Sequence, residues 1–123
     1  MRNVVKALRL VLLGEIHPAV VTTVDFDELD GLRLDPALIA AAGFVEHEKV
    51  ELYDSSSGTR LSLALRRGKS GEVALCGAAA VLIKPGARVS IASFGWVKAK
   101  ASLKHQPSIV RVDDDNLVVK KAK

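Results

Sequence analysis

The stretch EKVELYDSSSGTRLSLAL, Glu48 to Leu65, constrains the fold more than any other part of the chain. Val50 and Leu52 alternate with Glu51 and Tyr53, and Leu61, Leu63 and Leu65 alternate with Arg60, Ser62 and Ala64. A period of two places one set on each face of an extended strand. DSSSG between the two runs supplies turn chemistry, so the segment reads as a β-hairpin. Similar short runs recur. Residues 7–16 and 19–25 read as two strands with Pro18 at an edge or bend between them, and GLRLD as a third. EVALC, ARVSIASF and the PSIVRV–DDDN–LVV unit follow, with RRGKSG and Pro85-Gly86 as connections and KKAK as a frayed tail. Only two brief helices are expected. PALIAAAG has Asp35 as N-cap, Pro36 at the first helical position and Gly43 as its stop; GAAAVLI is the other.

Many short strands and little helix predict a mainly β fold that closes, or nearly closes, into a barrel and so removes exposed strand edges. Hydrophobic residues make up 49% of the 123, aromatics only 4%, so the core must be built from Val, Leu, Ile and Ala. With no repeat, linker or low-complexity block, residues 1–123 are expected to form a single domain. A lone cysteine, Cys76, excludes an internal disulfide framework and a Cys-rich zinc site, and favours a cytoplasmic setting. The apolar start, MRNVVKALRLVLLGEIHPAV, is interrupted by Lys6 and Arg9 and is too short to span a bilayer; it reads as folded structure, with no membrane partner.

Charge is unevenly spread. Residues 1–61 carry 6 basic and 10 acidic side chains, and residues 62–123 carry 12 and 4. The basic residues form no dense run with interleaved aromatics, so nucleic acid is not the expected partner; two halves that intermix and partly neutralise each other explain the asymmetry. There is no Gly-rich phosphate loop and no His-x-x-x-His pair, hence no expected metal site. His17, His47 and His105 are scattered and read first as surface or packing residues. Cys76 reads first as a small buried hydrophobe and second as a nucleophile without an identifiable base. Arg60, on the polar face of its strand, is either solvated or a bidentate carboxylate ligand.

Several segments fall in a familiar order. GEIHPAVVT (Gly14 to Thr22), AAGFVEHEKVELYD (Ala41 to Asp54), SGTRLS (Ser57 to Ser62), GAAA (Gly77 to Ala80), Pro85-Gly86 and HQPSIVRVDDDN (His105 to Asn116) together resemble the aspartate 1-decarboxylase family. That family makes β-alanine for pantothenate with a pyruvoyl group. The resemblance implies a six-stranded double-psi β-barrel and a homotetramer. It also implies self-cleavage at a Gly-Ser bond, where the serine hydroxyl attacks the preceding carbonyl and later elimination leaves the pyruvoyl group. Aligned from Ile16-His17 to Asp35, the family's glycine falls on Asp30 and its serine on Gly31. No Gly-Ser dipeptide occurs anywhere; Gly58-Thr59 is the nearest substitute and matches the family's hairpin turn.

The same alignment puts Glu15 at the family's lysine, Glu28 at its tyrosine, Leu63-Ala64 at its Thr-Tyr pair and Cys76 at its asparagine. His17, Arg60, Gly77, Ala78 and Ala79 are retained, and Tyr53 replaces a tryptophan. A divergent member without pyruvoyl is therefore expected, binding or transforming a small carboxylate or amino-acid metabolite. Arg60, Tyr53, Gly77, Ala78 and Ala79 would bind it, and Glu28, Cys76, Glu15 and His17 are the catalytic candidates. Filling of the space left by the lost site is the plain alternative for Glu15, Glu28 and Cys76. Two other functions compete: a catalytically dead paralogue that binds a metabolite or pairs with an active relative, and an aspartate 1-decarboxylase matured by an unforeseen route.

Overall fold

The computed structural model describes residues 7–122. Met1–Lys6, the start of the apolar stretch expected to be folded structure, and Lys123 lie outside them. Strands dominate: β1 (Leu8–Val20), β2 (Thr23–Asp25), β3 (Gly31–Leu34), β4 (Lys49–Asp54), β5 (Arg60–Arg67), β6 (Val73–Cys76), β7 (Arg88–Lys98), β8 (Ser108–Val112) and β9 (Val118–Ala122). The short helices are α1 (Pro36–Ala42), α2 (Ala79–Leu82) and α3 (Ala99–Ser102). The strands hydrogen-bond in the order β2-β6-β3-β5-β4-β7-β1-β8-β9. This is the mainly β, barrel-type architecture expected from the alternation. From β2 to β8 that order sets strands from the acidic half of the chain beside strands lying wholly or mostly in the basic half, as the charge asymmetry suggested, and only the final pair, β8 and β9, comes from the basic half alone.

The hairpin forms as its pattern dictates. Val50 pairs with Leu63 and Leu52 with Leu61, and all but the half-exposed Leu61 are buried. Asp35 caps α1 by accepting from the Ala37 amide at 2.8 Å, Pro36 opens the helix, and Gly43 closes it at φ 72°. Ile16, Leu32, Leu34, Leu52, Leu65, Val73, Leu75, Ile91 and Val110 are fully buried and fuse both halves of the chain into one core. Truncating any of these leucines to alanine would cost about 2–5 kcal/mol through lost transfer energy and the cavity left behind.

Four expectations need correction. Pro18, expected between two strands, lies inside β1, which runs on to Val20 with a register shift against β7 between Ile16 and Ala19; the break comes instead at residues 21–22, and only Thr23–Asp25 of the expected second strand stand apart, as β2. β7 runs beyond Phe94 to Lys98 because the start of β1 pairs with it, Leu10 opposite Trp96 and Leu8 opposite Lys98. Its outer half is an exposed ribbon, so burial alternation gave no signal there. A third helix, α3, is a single turn without a cap residue. Finally, residues 120–122, expected to fray, extend β9 against β8.

Candidate functional site

Two neighbouring regions hold the chemistry-bearing residues. The first is the loop joining β2 to β3. β6 lies between those strands, parallel to β2 with Asp25 opposite Cys76, and antiparallel to β3 with Gly31 opposite Cys76. The loop must therefore cross the end of β6. It does so above Gly77, whose N–H donates to the Asp25 carbonyl at 2.9 Å. A Cβ on Gly77 would run into Asp30 Oδ1 and lie 2.8 Å from Asp30 Cα, so only glycine permits this approach. Gly77 also holds φ +71°, which glycine adopts without strain.

The crossing loop is fastened from two sides. Asp30 Oδ1 accepts from the Ala78 amide at 2.8 Å. The Arg66 guanidinium donates through Nη1 to the Asp30 carbonyl and through Nη2 to the Leu29 carbonyl, both at 2.9 Å. Gly31 then has φ +147°, and a Cβ there would stand 2.8 Å from the Ala64 carbonyl oxygen and from Arg66 Nη1. Beside it, Arg33 reaches Glu72 at 3.2 Å, Glu28 at 3.5 Å and Asp25 at 3.9 Å. The hydrogen bond to Glu72, partly opposed by burial, holds the Arg33 guanidinium above its ordinary pKa. Cys76 is fully buried. Burial pushes its thiol up, against the pull of Arg33 and Arg66, which favours the neutral form.

A cavity of about 220 Å³ opens below this loop, between the free flank of β5 and α2. Asp30, Gly31, Leu61, Ser62, Leu63, Ala64, Ala78, Ala79 and Leu82 line it.

The second region is the outer face of β4, β5 and β7. The Arg60 guanidinium sits 4.0 Å from the centroid of the Tyr53 ring, in cation–π contact. Burial pushes the Tyr53 phenol up; Arg60 opposes this, while Glu51 and Glu15 add to it. Those four side chains therefore share one electrostatic neighbourhood. His17 Nδ1 and Ser90 Oγ are hydrogen-bonded at 2.6 Å, and Ser90 is the β7 partner of Tyr53. A groove of about 480 Å³ runs alongside, lined by Leu10, Lys49, Glu51, Tyr53, Phe94 and Trp96.

The structure thus gathers Glu28, Asp30, Gly31, Cys76, Gly77, Ala78 and Ala79 around the loop, and Glu15, His17, Tyr53 and Arg60 on the sheet face. Ser62 connects the two: it lines the cavity and its Oγ donates to Glu51 Oε2 at 2.6 Å. His47 and His105 play backbone-level roles. The His47 amide donates to the Leu65 carbonyl, and the His105 ring contacts the Leu12 carbonyl, each at 2.6 Å. No group of metal-ligating side chains occurs among the described residues. Sequence reasoning missed Arg66, Ser62 and Leu82. For the first two a signal existed, since the alternation of β5 puts Arg60, Ser62, Ala64 and Arg66 on one face. Arg66, at the head of the RRGKSG stretch expected as a connection, belongs to β5.

A mainly β chain with a few short helices, folded as a barrel around one aliphatic core, defines the class. The family model for aspartate decarboxylase matches residues 7–119. The chain is similar to the aspartate 1-decarboxylase of Corynebacterium efficiens, 40% identical over 114 residues that cover 91% of this chain and 84% of that protein. It is 38% identical over 109 residues to the Clostridium beijerinckii aspartate 1-decarboxylase, covering 87% and 88%. To that of Myxococcus xanthus it is 39% identical over 113 residues, covering 90% and 87%. The chain belongs to the aspartate decarboxylase family.

Proposed function

We propose that this chain is a divergent member of that family which forms no pyruvoyl group and binds a small carboxylate or amino-acid metabolite at Arg60. Gly31 carries the reading. Self-cleavage of the kind the family resemblance implies needs a side-chain hydroxyl on the residue aligned with Gly31, and glycine has none. A serine would also need room that the Ala64 carbonyl and Arg66 occupy, 2.8 Å from the Cβ position. The residues here do not fit that group. Gly58-Thr59, which does carry a hydroxyl, lies in the hairpin turn between β4 and β5.

Arg60 suits carboxylate binding because its guanidinium is exposed, planar and held over Tyr53, leaving its donor fork open to a bidentate partner. Among the catalytic candidates, Cys76 is buried with its thiol favoured over the thiolate, and Glu28 is paired with Arg33. Glu15 and His17, nearest Tyr53 and Arg60, remain the groups best placed for acid–base work on a ligand held there.

Intact mass is the first test. One chain of 13.1 kDa supports the reading, and two fragments with a ketone-bearing new terminus overturn it. Calorimetry against aspartate, β-alanine and related acids tests the pocket, with Arg60→Ala expected to abolish the heat. Carbon dioxide release from aspartate would return the chain to decarboxylase chemistry.

A specific observation also supports assembly, either as a homotetramer or with an active paralogue. Leu8, Leu10, Phe94 and Trp96 stand 56%, 55%, 40% and 66% exposed on one ribbon beside Tyr53, an apolar strip of the kind that oligomer contacts cover. Sedimentation of the wild-type chain and of Trp96→Glu is the check; a wild-type monomer would remove this part of the reading. The setting proposed is cytoplasmic, in keeping with the single free Cys76. No described helix is long and apolar enough to cross a membrane.

A further inference from the structure

We infer that the end of the β1–β7 ribbon, with α3 and the turn after it, is a docking surface for an anionic lipid bilayer. The inference goes beyond the Arg60 reading and does not depend on it. The contact is peripheral and calls for no spanning segment. It starts from charge. No Asp or Glu occurs before Glu15 or between Glu72 and Asp113. β1 begins in the first of these stretches, and β7 and α3 lie in the second. The ribbon joins the two, with Leu8 opposite Lys98 and Leu10 opposite Trp96. Arg9, Lys98, Lys100 and Lys104 all stand exposed there, and none is ion-paired with another described residue. Glu51, in the adjoining groove, shares its lining with Lys49.

The core makes no use of this end: α3 has no buried residue. Its turn is fastened all the same. The Ala99 amide donates to the Ala7 carbonyl at 2.8 Å, Ser102 Oγ donates to the Ala99 carbonyl at 2.6 Å, and the His105 ring contacts the Leu12 carbonyl. Between Lys100 and Lys104 it presents Leu103, 82% exposed, the most exposed large hydrophobic side chain among the described residues. That leucine decides between anionic partners. A nucleic acid offers phosphates to lysines and flat bases to aromatic rings, and an aliphatic tip gains little from either. A bilayer offers headgroup charge to the lysines, whose stems lie along the interface, and hydrocarbon to the leucine. Leu103 is not part of the strip of Leu8, Leu10, Phe94 and Trp96, so the contact does not draw on the side chains assigned to assembly.

Co-sedimentation of the full chain with vesicles of equimolar phosphatidylcholine and phosphatidylglycerol tests the surface, with pure phosphatidylcholine vesicles as the neutral match. Binding to the anionic vesicles alone is expected, and its loss in about 1 M salt, where the screening length is about 3 Å. Lys100→Gln/Lys104→Gln is expected to weaken binding about tenfold or more, since each cation near an anionic bilayer adds its own attraction. Lys69→Gln/Lys84→Gln removes the same charge from exposed positions elsewhere and is expected to bind as wild type. Leu103→Ser is expected to weaken binding about fivefold and to leave its salt dependence unchanged. No binding to anionic vesicles, equal binding to neutral ones, equal losses in the two lysine pairs, or a Leu103→Ser variant that binds as tightly would each overturn the inference. Tighter binding of a mixed-sequence DNA duplex or of polyglutamate, lost in Lys100→Gln/Lys104→Gln, would do so too, by giving these cations to a nucleic acid or an acidic protein.

Discussion

Two acidic turns, Asp54–Arg60 and Asp25–Gly31, solve the same problem in opposite ways. In the hairpin turn, the buried Asp54 carboxylate accepts from the Ser56 amide at 3.1 Å, Ser56 Oγ at 2.8 Å and Ser57 Oγ at 2.9 Å. Its backbone closes on Thr59 and Gly58. Every partner is within five residues, so the turn is held by its own sequence. In the β2–β3 loop, the Asp30 carboxylate reaches an amide 48 residues away, and the carbonyls of Leu29 and Asp30 are held by an arginine 37 and 36 residues away. One turn is local and self-sufficient; the other exists only because β5 and β6 are already in place. The difference locates divergence. A loop held by distant side chains can be refastened by changing one or two of them, whereas a self-held turn must keep its whole motif.

The largest expected effects come from breaking the distant fastening. Gly31→Ser places a Cβ against the Ala64 backbone at φ +147°, and backbone cannot yield as a side chain tip can. Destabilisation of about 3 kcal/mol or more is expected, read from the urea midpoint, with the mass still that of one chain. Gly77→Ala comes next, at about 2 kcal/mol, because its methyl displaces the Asp30 carboxylate from the Ala78 amide. Asp30→Gly in the same chain should recover part of that cost. Strict additivity of the two changes would mean that the loop does not press on Gly77 at all.

A smaller effect separates the turns by pH. Burial raises the Asp54 pKa, but the hydrogen bonds from Ser56 and Ser57 outweigh it and leave the carboxyl below its ordinary range. A carboxyl whose folded pKa is depressed stabilises the fold above its unfolded pKa, about 3.9, and loses that contribution as pH falls through the folded value. Asp54→Asn is therefore expected to cost about 1–2 kcal/mol near neutrality. The gap to wild type should shrink progressively below about pH 4. Urea midpoints of both proteins across that range measure it. A gap independent of pH would remove the charge from the explanation.

Legibility in the sequence follows the same division. The hairpin, the Asp35 cap, the Gly43 stop and the aliphatic core were readable because each is fixed by residues a few positions apart. Gly31 and Asp30 were recognisable as out of place, but only by resemblance. That Asp30 turns onto Ala78, and that Arg66 forks onto two carbonyls, depends on β6 lying between β2 and β3, a pairing no local pattern encodes. The exposed half of β7 was missed for a related reason. Beyond Phe94 its partner is the start of β1 and its outer face carries no core, so periodicity had nothing to report. Arg66 continues the alternation of β5, in which Ser62 already stands on the polar face, to the end of the strand at Arg67.

The smallest expected effect is the control on the local turn. Gly58 has φ +77° like the loop glycines, yet a Cβ there meets nothing within 4 Å. Gly58→Ala isolates the conformational part of a positive-φ substitution, about 1–2 kcal/mol for an L residue in that region, offset in part by the lower entropy of the unfolded chain. A net loss near 1 kcal/mol is expected from the urea midpoint, with amide shifts confined to the hairpin turn. Subtracting it from the Gly77→Ala value leaves the part that comes from the loop pressing on β6. If Gly58→Ala proved as costly as Gly77→Ala, backbone strain alone would account for both, and the crowding by Asp30 would count for nothing in the energetics of the site.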